Sequence, residues 1–137
     1  MIPTAISLVM ISWETAKRLL TSVRSYDFVG RYGGEEFLVV LNNCNPAFAF
    51  ARAEEICKSI AHLPVQTSSG AVAITMSLGL LLSQEWGFLP LEELLQQADA
   101  ALYAAKAAGR NCVRVATPKI PSVDPDSHAH EPARQRR

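Results

Sequence analysis

The stretch RYGGEEF, Arg31 to Phe37, decides how the rest of this chain is read. It joins YDFVGRY, which begins at Tyr26, to FLVVL, which ends at Leu41. Both flanks are rich in β-branched and aromatic residues, and Gly33-Gly34-Glu35-Glu36 has the length of a hairpin connection. Glycine suits that place because a positive φ costs it little. Two adjacent carboxylates can hold a divalent cation, and a backbone without Cβ atoms lets phosphate oxygens approach closely. A solvated acidic turn has the same local pattern. The remainder of the chain has to distinguish the two.

Ahead of the hairpin, ETAKRLLTSV from Glu14 spaces Ala16, Leu19, Leu20 and Val23 at helical intervals, with Lys17 and Arg18 outside that face. This predicts a first helix ending near Arg24. Behind it, NPAFAFARAEEICKSIAHL opens with Asn45 as N-cap and Pro46 at the first helical position. Its expected buried face is Phe50, Ala53, Ile56, Ile60 and Leu63. AVAITMSLGLLL, residues 71–82, then reads as one buried strand interrupted by Gly79. A third helix runs from Pro90, with two acids in its first turn, to a stop at Gly109, and NCVRVA supplies a closing strand. Helices packed on a single sheet make an α/β or α+β sandwich.

With 137 residues, 49% of them hydrophobic, the chain has room for one domain with a real core. Thirteen basic and thirteen acidic side chains balance, so no global field attracts nucleic acid or an anionic membrane. Cys44, Cys57 and Cys112 lack CxxC spacing and sit in apolar contexts, which suggests reduced thiols, a cytoplasmic setting and no zinc. The N-terminal run AISLVMIS is too short to span a membrane and is expected to be a strand or the start of a helix. Residues 117–137 hold half of the eight prolines without a periodic apolar face, the composition of a disordered tail. Its closing RQRR could meet an acidic surface or remain solvated.

Two further clusters bear on the hairpin. Asp99, Tyr103 and Lys106 share a stripe of the third helix, and Arg110 lies just past its glycine stop. Two cations there suit an anion, although basic residues in a last turn also complement the helix dipole. Arg24 and Asp27, in RSYD, offer a planar donor fork and an acceptor that match phosphate or a guanine edge. A local ion pair between helix end and strand start accounts for them equally.

Taken together, RSYDFVGRYGGEEF, MSLGLLL and ADAALYAAKAAGRN, in that order and spacing, resemble the GGDEF domain of bacterial diguanylate cyclases in its GGEEF variant. The likeness covers residues 14–116 as a partial domain, with residues 1–13 an atypical N-terminal segment. It implies a palm-like nucleotidyl-cyclase fold with a mixed or antiparallel sheet, its first strand and helix missing or replaced. It also implies a homodimer that brings two GTP molecules together, condenses them to cyclic di-GMP and releases pyrophosphate, aided by magnesium or manganese. By that resemblance Glu35 and Glu36 are catalytic and metal-binding, and Gly33 and Gly34 let the nucleotide come close. Lys106 and Arg110 neutralise the triphosphate. Arg24 and Asp27 match the RxxD site at which product binds back and inhibits. Asp99 and Tyr103 fit the family pattern or a role in seating the helix.

One departure matters. The family carries an Asp-rich metal motif, a phosphate-gripping lysine and base-reading Asn and Asp side chains before the hairpin. Here the thirteen residues before Glu14 contain no Asp, Glu, Asn, Lys or Arg. A metal held by fewer charges binds weakly, and an unanchored base leaves the attacking hydroxyl poorly oriented. The expectation is a diguanylate cyclase domain that is catalytically incomplete in this chain. The alternatives are a non-catalytic module that binds cyclic di-GMP through RxxD, or a non-functional gene fragment.

Overall fold

The computed structural model describes residues 4–10 and 13–119, with side chains from Thr15 onward. The expected tail therefore lies outside the described residues from position 120. Among the described residues there are seven strands and three helices. They are β1 (Thr4–Met10), α1 (Trp13–Ser22), β2 (Phe28–Gly33), β3 (Glu36–Asn42), α2 (Pro46–His62), β4 (Val65–Thr67), β5 (Gly70–Val72), β6 (Leu78–Leu82), α3 (Leu91–Ala107) and β7 (Val113–Val115). A single 3₁₀ turn, Ser83–Glu85, follows β6. The main sheet has the order β2-β3-β1-β6-β7, and β4 and β5 form a separate hairpin.

The N-terminal run is a strand, and it takes the centre of the sheet. β1 pairs antiparallel with β3, from Thr4 opposite Asn42 to Met10 opposite Glu36. On its other side it pairs antiparallel with β6, from Ala5 opposite Leu82 to Val9 opposite Leu78. The centre of the sheet is thus filled by an apolar segment, and the helical alternative for residues 4–10 does not hold.

Alternation along the strands divides the core in two. Val39, Leu41, Leu78, Leu80, Leu82 and Val113 face α1 and α2, where they meet Ala16, Leu19, Ala53, Ile56 and Ile60. Leu81 faces α3 and packs with Leu94, Ala98, Ala101 and Leu102. Within α2 the buried stripe is Ala49, Ala53, Ile56, Cys57 and Ile60. Phe50 and Leu63, expected on that face, are exposed instead: Phe50 lies one position round the helix from the buried Ala49, and Leu63 is the extended residue that ends it. Asn45 caps this helix as expected, its side chain accepting from Phe48 N–H at 2.8 Å.

The run 71–82 is not one strand. Its first residues close the β4–β5 hairpin, and only Leu78–Leu82 enters the main sheet, buried throughout. Gly79 does not interrupt β6 but lies within it. A Cβ there would stand 2.2 Å from the Ala98 carbonyl oxygen and 2.4 Å from Leu102 N. Glycine is what lets α3 rest directly on the sheet. Arg18, outside the apolar face of α1, reaches across to the end of α2. Its guanidinium donates to the carbonyls of Leu63, of Ile60 at 3.4 Å and of Pro64 at 3.2 Å, finishing the end of α2.

Candidate functional site

The tip of the β2–β3 hairpin is Gly34 and Glu35, a two-residue turn preceded by a register shift between Arg31 and Gly33. Gly34 has φ +52°, in the left-handed region, so the turn itself requires it. Gly33 has no such need, and a Cβ built there meets nothing within 4 Å. Space above the turn is open to a ligand. Arg31 steadies the turn from one side, donating to the Gly34 carbonyl through Nε at 3.1 Å and Nη2 at 2.9 Å.

Tertiary folding brings the hairpin and the end of α3 together. Lys106 Nζ lies 3.8 Å from Glu36 Oε1, with both side chains partly shielded from water. Glu35 is exposed beside them. Beyond α3 the chain turns through three consecutive positive φ values: Gly109 at 107°, Arg110 at 63° and Asn111 at 49°. Arg110 N–H donates to the Ala105 carbonyl at 3.1 Å, and its side chain is exposed. Two non-glycine residues in the left-handed region store strain where the predicted phosphate-binding cation sits. Asp99 and Tyr103 are exposed, the latter 75%, so neither seats α3 against the sheet.

Arg24 and Asp27 form a closed unit at the other end of the hairpin. Arg24 donates to the Asp27 carboxylate through Nε at 2.9 Å and Nη2 at 3.0 Å. The backbone N–H groups of Arg24 and Asn42 add bonds of 2.8 and 3.0 Å to the same carboxylate. The Asp27 side chain is 1% exposed. Burial alone would raise its pKa, but these bonds and the neighbouring guanidinium outweigh it and hold the group below its ordinary value. Arg24 also lies over the rings of Tyr26 at 4.5 Å and Phe48 at 4.9 Å. One planar cation is thus held among aromatic faces at the protein surface.

Glu35 and Glu36 are the carboxylates at the hairpin that would hold magnesium or manganese. Among the described residues no three His, Cys, Asp or Glu side chains are grouped to hold a metal. β1, the strand alongside Glu36, reads TAISLVM and carries no carboxylate. A groove of about 540 Å³ between α2 and β7, lined by Phe50, Cys57, His62 and Cys112 among others, contains none of the predicted site residues.

The family model described as "Diguanylate cyclase, GGDEF domain" matches residues 13–112. The chain belongs to the GGDEF family. This GGDEF chain is 35% identical over 110 residues to Diguanylate cyclase A of Treponema denticola, covering 80% of this chain and 29% of that protein. It is 39% identical over 102 residues to the response regulator PleD of Caulobacter vibrioides, covering 73% of this chain and 22% of that protein. It therefore spans less than a third of either relative's length. Among solved structures, the GGDEF domain of YfiN (TpbB) from Pseudomonas aeruginosa superposes with a TM-score of 0.78 at 27% identity, covering 86% of this chain and 84% of that one. The active GGEEF domain of a diguanylate cyclase from Vibrio cholerae gives 0.73 at 25% identity, with 85% of each covered. No helix among the described residues is long and apolar enough to cross a membrane.

Proposed function

We propose that this GGDEF chain carries the hairpin half of a diguanylate cyclase site, binding GTP without turning it over efficiently by itself. The observation that supports this is the meeting of Lys106 with Glu36 at 3.8 Å, below an open glycine turn. A triphosphate entering there would find the Lys106 ammonium, with the Arg110 guanidinium on the following turn. Gly33 and Gly34 leave it room. The divalent ion, magnesium or manganese, would arrive on the nucleotide, with Glu35 and Glu36 as its carboxylates.

In the family reaction the 3′-oxygen of one GTP bonds to the α-phosphorus of a second as the bond to pyrophosphate breaks. Repetition with the roles reversed closes cyclic di-GMP and frees a second pyrophosphate. That requires two sites facing each other, hence a homodimer. Glu35, exposed at the turn, would accept the hydroxyl proton. What β1 fails to provide is a carboxylate facing Glu36 and an anchor for the base. The second reading, a cyclic di-GMP-binding module, is favoured by Arg24 lying over Tyr26 and Phe48, a surface on which a purine can stack. Asp27 would then act by orienting Arg24, since its own oxygens are already engaged.

Incubation of the chain with GTP and magnesium, followed by chromatography for cyclic di-GMP and pyrophosphate, tests both readings together with calorimetry. GTP binding with little or no product is expected. Robust turnover abolished in Glu35→Ala would show that β1 substitutes for the absent groups. Absence of GTP binding, with cyclic di-GMP binding lost in Arg24→Ala, would favour the second reading.

A further inference from the structure

We infer that Cys57 and Cys112 are the two ends of a reversible disulfide that closes across the groove between α2 and β7 and loosens the Arg110 turn behind it. Both cysteines are free thiols, and both line that groove. Two separate sets of bonds bring them to the same place. The Cys57 thiol reaches from α2 to the Met76 carbonyl at 3.4 Å, just before β6 begins. The Cys112 carbonyl accepts from the N–H of Leu78, the first residue of β6, at 3.0 Å. One thiol thus sits against residue 76 and the other cysteine is tied to residue 78, close enough for the charge of one to act on the other. Cys44, the third cysteine, is buried with its thiol on the Leu41 carbonyl and does not line the groove.

The two thiols differ in the way an exchange needs. Cys57 is 5% exposed, and burial pushes its thiol up to about 12, so it does not begin the reaction. Cys112 is only half-buried and meets the oxidant first. Along the groove Lys58, His62 and Arg114 outnumber Glu54, which suits a small disulfide carrying carboxylates. The Cys112 sulfur attacks one sulfur of that disulfide, forming a mixed disulfide and releasing one small thiol. The Cys57 sulfur gives up its proton, attacks Cys112 and releases the second. Two protein thiols are oxidised, one small disulfide is reduced, and both protons end on the released thiols. Closing the bond draws the Cys112 thiol off the Ala105 carbonyl, to which it donates at 3.4 Å. The same carbonyl accepts from Arg110 N–H at 3.1 Å, and Arg110 and Asn111 hold φ values of 63° and 49°. A strained turn that loses one of its ties relaxes, and the Arg110 guanidinium moves with it. That last consequence for a triphosphate rests on the GTP-binding reading above.

The test uses the full chain with Cys44→Ser, so that this pair supplies the only thiols. It is held with glutathione disulfide in mildly alkaline buffer, quenched in acid, digested and analysed by mass spectrometry, with and without dithiothreitol. The expected product lacks two hydrogens, joins the peptides of Cys57 and Cys112, reverts with reductant and unfolds at a higher urea concentration than the reduced chain. Calorimetry is expected to show GTP bound about threefold more weakly, or weaker still, by the joined form. With Cys57→Ala the reaction should stop at a glutathione adduct on Cys112. An adduct that stays on Cys112 while Cys57 is present, or a link that forms only in urea, overturns the disulfide. Joined and reduced forms that bind GTP equally overturn its tie to the Arg110 turn. A reduced chain that binds no GTP removes the GTP reading instead, and the disulfide then stands or falls by mass alone. Should Cys57→Ala fail to fold, Cys112→Ser takes its place: Cys57 left unmodified in it supports the order of attack, and Cys57 modified overturns it.

Discussion

The Lys106 ammonium is partly neutralised by Glu36 before any ligand arrives. A triphosphate offers several oxygens in place of one, so Lys106→Met is expected to weaken GTP binding about tenfold, roughly 1.4 kcal/mol, in calorimetry. Unchanged affinity would remove this lysine from the site. Asp27 carries a pH-dependent prediction. Its folded pKa lies below the ordinary value of 3.8, so its stabilising contribution is complete above about pH 4 and disappears as pH falls through the folded value. Asp27→Asn should cost about 2 kcal/mol in urea denaturation at pH 7 and progressively less below pH 4. A deficit that stays constant with pH would mean the carboxylate charge is irrelevant. Every one of these side chains was visible in the sequence as a candidate. Which charges touch was not, because Lys106 and Glu36 are seventy positions apart, and spacing rules work only within an element.

At the scale of elements, β6 and α3 are fitted by the absence of one side chain. A methyl group at position 79 would overlap backbone atoms of Ala98 and Leu102, which cannot rotate away. Gly79→Ala should therefore cost about 3 kcal/mol or more, read as a lower urea midpoint or as loss of the cooperative transition. A variant as stable as the parent would show that α3 can lift freely. Capping and glycine stops made α2 and α3 legible from sequence, since these signals act within a turn of the helix end. The 71–82 run was misread as one strand because its apolar residues continue through the β5 edge, and hydropathy does not register the break. Spacing places Arg18 outside the apolar face of α1 but names no partner for it, because its acceptors lie at another helix's end.

For the whole molecule, the decisive placement is β1 between β3 and β6. A central strand satisfies two neighbours at once, so proline there removes a ladder bond with no solvent to replace it. Ser7→Pro, opposite Val39 on one side and Leu80 on the other, is expected to abolish the cooperative unfolding transition and most native circular dichroism. Retention of a native transition would show that the sheet holds together without β1. The sequence by itself determined the family, the helices, the GGEEF hairpin and the lack of acidic residues before Glu14, because motif order, capping and composition are properties of short stretches. Only the tertiary structure decided that the apolar N-terminal run is the central strand, that Gly79 is a contact surface, and that Lys106 meets Glu36. Those outcomes depend on which distant segments compete for the same ladder bonds and the same buried space, and no local pattern encodes that competition.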